Sequence, residues 1–281
     1  MIGGRRLSAS RLFLLAFFVV MGAVVLFPFY FLLVSSFRPS QELFTSGFHL
    51  GIRLKGVTLT NYQMLLQGSG VIYLSWYKNS ILITGLFTAF SLFLSSLVGY
   101  GLGVYVFKGR NLIFTLVLFL LMIPLEILML PLYKLLVTIH LINTYAGVIL
   151  PFVVSPAGVF FFRQYSSGVP RDYVDAGRMD GCTEYGIYAR IMAPLMRPAF
   201  GAMAILLAMR EWNDFLWPLI VLRTNENFTI PVGLASLMSP YGNNYDMLIA
   251  GAILAIVPIV ILFLFNQRAF VSGLTVGGIK G

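Results

Sequence analysis

The sequence predicts an all-α membrane protein with six transmembrane helices and a polar loop on the cytoplasmic side, and three observations support this. Of its 281 residues, 59% are hydrophobic and 10% are charged, and the mean hydropathy is +0.89. A soluble domain of this length could not bury so much apolar side chain. Uncharged apolar runs reach or approach the ~20 residues that a helix needs to cross a bilayer. One long polar stretch, residues 170–198, interrupts them.

The six spans follow from these apolar runs. The first is expected at residues 12–34, behind Arg5, Arg6 and Arg11. Its run is longer than the hydrophobic region of a signal peptide and no A-x-A site follows, so we expect a retained anchor. The other five spans are expected at residues 81–107, 112–137, 145–162, 199–222 and 247–265.

The positive charges indicate the orientation. With the N-terminus inside, twelve of the 19 Lys and Arg fall on the inner side, six fall outside and Arg210 lies within a span. Cytoplasmic loops carry such an excess, so both termini and the 170–198 loop are expected in the cytoplasm. The net charge of +9 is therefore a topology signal. The chain divides into an N-terminus (1–11), a six-helix transmembrane domain (12–268) and a C-terminal tail (269–281).

The second span carries three glycines in the run Gly99-Tyr100-Gly101-Leu102-Gly103. No strand precedes them and no third glycine has the dinucleotide spacing, so we expect close helix packing through Gly99 and Gly103 rather than a nucleotide site. His49, His140 and the single cysteine, Cys182, are too isolated to form a metal site, and one cysteine forms no intrachain disulfide.

The third span contains a carboxylate, Glu126, between Pro124 and Pro131. Prolines inside a span free backbone carbonyls that neighbouring helices must satisfy, so this helix is expected to be kinked and to face protein or a cavity. Glu126 is a candidate pathway residue, because an intramembrane carboxylate is costly in lipid. The alternative is that it lies at the outer interface and reaches toward water.

The polar loop predicts two short helices. Pro170 suits the start of the first helix, and acidic residues in the opening turns of that helix interact favourably with its dipole. The first helix is expected to run to about Met179 and to end at Gly181, and Thr183 is placed to cap the second. In the second, Glu184, Ile187, Tyr188 and Ile191 share a face, and Pro194 and Pro198 separate it from the fifth span. Such a pair is either a passive interfacial element or a lever for a cytoplasmic partner.

The fifth span contains a polar cluster between Arg210 and Pro218. Arg210 and Asp214 are four residues apart, so they are expected to share a helix face and neutralise each other. Carboxylates, an amide and indoles suit a sugar, whose hydroxyls take hydrogen bonds and whose apolar face stacks on rings. The candidate pathway residues are Glu126, Glu211, Trp212, Asn213, Asp214 and Trp217. The alternative is a salt bridge that joins two helices.

The polar loop also carries a motif. Asp175-Ala176-Gly177-x-x-Asp180-Gly181-Cys182, followed by Ile191 and Pro194, resembles the loop of ABC importer permeases whose pattern is E-A-A-x-x-D-G-A and then I-x-L-P. Asp175 stands where the family has Glu, Gly177 and Cys182 stand for Ala, and Ala193 stands for Leu. The resemblance implies a type I ABC importer permease fold and a coupling helix that docks on an ATPase subunit. The implied contact residues are Asp175, Ala176, Gly177, Asp180, Gly181, Cys182, Glu184 and Tyr185.

The resemblance covers essentially the whole chain. The ending from Gly273 to Gly281 is similar to that of maltose-type permeases, while Lys108 to Asn111, Phe160 to Tyr165, Ala176 to Gly186 and Ser239 to Met247 are similar to arabinose and arabino-oligosaccharide permeases. It implies a bacterial plasma-membrane subunit that works with a second permease, two ATPase subunits that bind ATP and Mg, and an extracellular sugar-binding protein. The implied contacts with that binding protein are Leu237, Ser239, Tyr241, Asn243, Asn244 and Tyr245.

Other functions stay open at this point. The substrate could be another oligosaccharide of the same branch, maltodextrin-like or glycerol-phosphate-like. A secondary transporter would show paired repeats, which the sequence lacks. A membrane enzyme would need a catalytic set that the sequence does not offer, and without a G-x-x-x-x-G-K-[ST] loop the chain should not hydrolyse ATP itself.

Overall fold

The computed structural model describes residues 9–45, 57–67, 70–239 and 242–276, and these are almost entirely helical. The helices are α1 (Ala9–Ser36), α2 (Ser40–Thr45), α3 (Thr60–Leu66), α4 (Gly70–Val104), α5 (Arg110–Met122), α6 (Leu125–Thr138), α7 (Tyr145–Ile149), α8 (Pro156–Ser167), α9 (Asp172–Met179), α10 (Glu184–Ile187), α11 (Ala193–Leu195), α12 (Arg197–Trp212), α13 (Leu216–Val221), α14 (Ile230–Ser236) and α15 (Tyr245–Val276). A π-helical turn (Tyr188–Met192) joins α10 to α11, and two-residue strands β1 (Met238–Ser239) and β2 (Gly242–Asn243) form a hairpin.

The expected number of spans agrees with the helices. Three helices are long and apolar enough to cross a membrane, within α1, α4 and α15. Three bent pairs reach that length if each counts as one span, which gives six in the described residues. The third span is kinked as predicted, by 102° between α5 and α6, and Pro124 lies at the break while Pro131 stays inside α6.

One prediction about the spans was wrong. The fifth span is not one helix, because α12 ends at Trp212 and α13 begins at Leu216. Arg210 and Asp214 therefore do not share a helix face. The last helix continues to Val276, into the stretch 269–281 that was predicted as the C-terminal tail.

The described residues form two compact units, and the first comprises the chain up to Val71 together with Ser236–Leu254. Here Asn61 is buried and its side-chain amide donates to the carbonyls of Ser36 (3.0 Å) and Arg38 (2.8 Å). The backbone N–H of Ser40 donates to Asp246. These bonds tie the segments that follow α1 to α3 and to the start of α15. Between Arg11 and Tyr30, every α1 residue except Gly22 is exposed, as expected of a helix that faces lipid or a partner chain.

The second unit comprises residues 72–235 and 255–281, and its core joins α4, α6, α7, α8, α12 and α13. A glycine seam brings α4 against α8. A Cβ added at Gly99 would lie 2.6 Å from Phe162 Cβ, and one at Gly103 would lie 2.1 Å from Ser166 Oγ. Small residues let helix backbones approach closely, so the predicted packing role of these glycines is confirmed.

Candidate functional site

The knob, defined here as residues 172–187, has the local structure that the sequence predicted. Its first helix, α9, starts at Asp172, two residues after Pro170, and ends at Met179. Gly181 then turns the chain with a φ of +74°, in the left-handed region that favours glycine. Thr183 caps α10, because its hydroxyl accepts a hydrogen bond from the backbone N–H of Gly186 (3.1 Å).

The knob presents one exposed surface. Met179 and Tyr185 are each 84% exposed, and the expected contact residues Asp175, Ala176, Asp180 and Gly181 are exposed as well. A contiguous exposed apolar patch rimmed by polar residues marks an interaction site, whereas single exposed apolar side chains do not. Six of the eight expected contact residues are therefore exposed: Asp175, Ala176, Asp180, Gly181, Glu184 and Tyr185.

Gly177 and Cys182 have internal roles instead, and Glu184, although exposed, is bonded within the chain. Gly177 is buried, and a Cβ there would lie 2.8 Å from Ile191 Cδ1, so this glycine lets α9 lie against the turn after α10. Cys182 is half-buried against the apolar cluster of Tyr100, Val174, Ile187 and Met192. Glu184 is turned toward its own neighbours.

Glu184 forms the ion pair that closes the knob. Arg178 Nε lies 2.8 Å from Glu184 Oε1, and Arg178 also lies 3.3 Å from Asp175. The hydrogen bond from Arg178, and after it one from Tyr105, lowers the pKa of Glu184 below its ordinary value. The pair is exposed to solvent, so it contributes little to the free energy of folding. Its effect is to hold α9 and α10 in one arrangement.

The base of the knob meets the inner end of α4 through tyrosines. Tyr105, which directly follows α4, donates a hydrogen bond to Glu184 Oε2. Its hydroxyl lies 3.2 Å from that of Tyr100, and the Tyr188 hydroxyl lies 2.6 Å from Ser96 Oγ. Sequence reasoning missed Tyr105, because nothing marks it except its place at the end of a span.

The predicted pathway residues fall in two places, of which the first is a groove between α6 and α13. Its volume is about 450 Å³, and it is lined by Glu126, Met129, Leu130, Tyr133, Leu219, Ile220 and Arg223. Arg223 donates a hydrogen bond to the Tyr133 hydroxyl (2.9 Å), with its guanidinium carbon 5.5 Å from the ring centre. Asn143 holds the backbone N–H of Arg223 (2.9 Å). Tyr133 and Arg223 were missed because they lie 90 residues apart in the sequence.

The second place is the break between α12 and α13. Glu211 Oε1 is buried and has no hydrogen-bond partner in the described part of the chain. A buried oxygen without a partner is costly, and in a span it indicates a pathway or a missing partner. Trp212 beside it is buried, with its indole N–H on the Ala255 carbonyl (3.1 Å) and its ring edge-on to Tyr77. Asn213 is exposed.

Trp217 stands apart from both places. It is fully buried in the core, donates its indole N–H to the Gly147 carbonyl (3.2 Å) and meets Phe152 edge-on. An enclosed ring has no face to offer a substrate. Trp217 therefore anchors α13 to α7, and we leave it out of the candidate pathway.

The outer hairpin holds the predicted contacts for a binding protein. Met238 pairs with Asn243, and the backbone N–H of Asn244 donates to the Leu237 carbonyl (3.1 Å). Asn244 Oδ1 accepts from the N–H of Met247, which caps α15. Tyr241 lies outside the described residues. Within them, no group of three or more His, Cys, Asp or Glu is placed to hold a metal ion.

Comparisons with known proteins point in one direction. Residues 95–276 match the family model described as "Binding-protein-dependent transport system inner membrane component". The arabinooligosaccharides transport system permease protein AraQ of Bacillus subtilis is 59% identical over 275 residues, which cover 98% of this chain and 97% of that protein. Its namesake in Halalkalibacterium halodurans is 54% identical, covering 94% of each chain. The lactose transport system permease protein LacG of Rhizobium radiobacter is 34% identical, covering 91% of each.

A solved structure supports the fold. One chain of a bacterial ABC transporter involved in the import of the acidic polysaccharide alginate superposes with a TM-score of 0.82, covering 95% of this chain and 100% of that one. At 19% identity the likeness concerns the fold alone. The predicted permease fold is confirmed.

Proposed function

Because the chain belongs to the family of binding-protein-dependent transport system inner membrane components, we propose that it is the permease subunit of an ATP-driven ABC importer for arabino-oligosaccharides. The knob is the structural observation that carries this proposal. It combines the family motif with an exposed surface at which a cytoplasmic partner can push. The sugar class rests on 59% identity to a relative that is named for that substrate.

The proposal includes the partners that the resemblance implies. A second, homologous permease completes the pathway, two ATPase subunits bind ATP and Mg, and an extracellular binding protein delivers the sugar. The chain itself contributes no ATP site, and both its termini lie in the cytoplasm. The excess of positive charge on the inner loops supports this orientation.

Coupling is assigned to the exposed part of the knob. Asp175, Ala176, Asp180, Gly181 and Tyr185 contact the ATPase, and Gly177 and Cys182 support them from inside. When the ATPase subunits close on ATP, they displace the knob, and the displacement reaches the spans. An exposed aromatic side chain such as Tyr185 is a common anchor of protein interfaces.

On this chain the sugar passes along the groove and the α12–α13 break. The carboxylates of Glu126 and Glu211 accept hydrogen bonds from sugar hydroxyls, and the Arg223 guanidinium donates hydrogen bonds to sugar hydroxyls. Tyr133 offers a ring for the apolar face of a sugar. A volume of about 450 Å³ lies in the range of small-molecule sites. Asn213 and Asp214 complete the polar set at the break.

The test is the ATPase activity of the complex reconstituted in lipid vesicles with its binding protein. Arabino-oligosaccharides, maltodextrins, lactose and no sugar are compared at equal concentration. Stimulation by arabino-oligosaccharides alone supports the proposal. Stimulation by another sugar keeps the mechanism and changes the substrate, whereas sugar accumulation by vesicles without any ATPase would refute the ATP-driven mechanism.

A further inference from the structure

The helix α4 has polar contacts at both of its ends, and neither set belongs to the exposed surface of the knob. It runs unbroken over 35 residues, or ~52 Å at ~1.5 Å per residue. Near its start, three side chains hold the segment between α13 and α14. Near its end, Tyr105 bonds to the knob, and Ser96 bonds to Tyr188 directly after the knob.

The outer contacts are made to backbone atoms of residues 225–230. Asn79 is buried and donates to the carbonyls of Glu226 (2.7 Å) and Phe228 (2.9 Å). Trp76 donates its indole N–H to the Asn225 carbonyl (2.8 Å). Ser80 Oγ accepts from the N–H of Ile230 (2.8 Å). Because these hydrogen bonds are made to backbone atoms, they fix the path of this segment independently of its side chains.

The inner contacts form a series of hydrogen bonds from Arg178 to Tyr100. Glu184 accepts from both Arg178 and Tyr105, so its two oxygens are occupied within the chain. Tyr105 then reaches Tyr100, whose ring lies 5.3 Å from that of Tyr188. Because both oxygens are engaged on the chain's own side groups, Glu184 serves the attachment of the knob better than contact with a partner.

We propose that α4 is the rod that joins the outer segment to the knob, and that Asn79 at one end and Tyr105 with Glu184 at the other are positioning residues for transport. Through it, docking of the binding protein outside changes the position of the knob inside. The inference rests on the proposed function, since it assumes a binding protein and an ATPase. The seam at Gly99 and Gly103 lets α8 follow the same motion.

The packing of α4 suits this role. Its helix is continuous, as are α1 and α15, but unlike them it contains no proline, and the three remaining spans are bent at breaks by 45° to 102°. An unbroken helix transmits an axial shift or a rotation over its length, while a broken one absorbs it. Rigid secondary-structure elements with packed or hydrogen-bonded contacts are one means by which distant sites are coupled.

The experiment measures ATPase activity of the reconstituted complex with and without sugar-loaded binding protein. Tyr105→Phe and Asn79→Ala are made singly and together. Each single variant is expected to keep the basal rate and to lower the stimulation by at least about three- to tenfold, because each removes two or more hydrogen bonds. Both substitutions act on the same helix. The double variant should therefore lose no more stimulation than the single variant with the larger loss.

A matched control is Tyr165→Phe on α8, whose hydroxyl makes no hydrogen bond among the described residues. It should behave as wild type. If Asn79→Ala lowers the amount of assembled complex, Ser80→Ala is used instead, because it removes one bond only. Additive losses, unchanged stimulation, or equal losses of basal and stimulated rates would each overturn the inference. A wild-type complex stimulated by a different sugar would change the proposed substrate and leave this test intact.

Discussion

Replacing Gly181 tests whether the shape of the knob, rather than its side chains, sets the coupling. The φ of +74° costs an L-residue with a Cβ about 1–2 kcal/mol, and a Cβ at this position meets no described atom within 4 Å. The expected effect of Gly181→Ala is therefore purely conformational. About 1–2 kcal/mol corresponds to a factor of roughly 5–30 in the fraction of knobs that hold the required turn.

Asparagine is the matched variant, because it adopts the left-handed conformation more readily than alanine although it is larger. We expect Gly181→Ala to lower the apparent affinity for the ATPase subunits roughly 5–30-fold, and Gly181→Asn to lower it less. The assay is ATPase binding to vesicles that contain the permease pair, followed by sugar uptake. An alanine variant equal to wild type would refute the reasoning. An asparagine variant worse than alanine would show that bulk at the docked surface matters more than the turn.

The remaining predictions address other parts of the molecule. Gly103→Leu should reduce the yield of folded protein, since overpacking of a close contact costs about 1–3 kcal/mol, whereas Gly101→Leu, which has no described atom near its Cβ position, should not. Arg223→Ala should slow sugar uptake with unchanged ATPase binding; equal loss of both would contradict a pathway role. Asp214→Asn should alter uptake while the complex still assembles, and failed assembly would favour a structural role. Because the pKa of Glu184 is lowered in the folded protein, its carboxylate stabilises the knob fully above the ordinary pKa of 4.5. This stabilisation is lost as the pH falls through the lower folded-state pKa. The pH profiles of wild type and Glu184→Gln should therefore run parallel above pH 4.5, and an inflection near neutral pH in one of them would contradict this.

The knob was predictable because its signals are local. A glycine at the turn, a threonine cap and acidic residues in the first turn act over three or four residues, and the structure has each of them in place. The same holds for the glycine seam of α4, where spacing along one helix indicates a shared face. Elements determined by neighbours in sequence are accessible to sequence reasoning.

The break in the fifth span had a signal that hydropathy does not weigh. Pro218 disfavours a helix that runs through it, because its ring clashes with the carbonyl of the residue four positions earlier, which is Asp214. The helix therefore stops at Trp212 and restarts at Leu216, so that the proline falls in a first turn. The high apolar content of this stretch predicts one continuous span, and it takes no account of the steric effect of the proline.

Long-range pairs were beyond reach for a different reason. Tyr133 meets Arg223, Tyr105 meets Glu184, and Asn79 meets the carbonyls of residues 226 and 228 across separations of 79 to 149 positions. Each depends on which helices lie side by side, and a single sequence carries no record of that. These pairs connect the candidate pathway and the knob to the rest of the chain.

The only thiol of the chain lies inside the knob, at the turn between α9 and α10. Cys182 is half-buried beside the apolar residues under that turn, so its rate of alkylation measures how often the turn opens. No other cysteine needs to be removed before a maleimide dye or a spin label is attached. The protein thus contains a built-in reporter, and its labelling kinetics with and without nucleotide would time the motion of the knob directly.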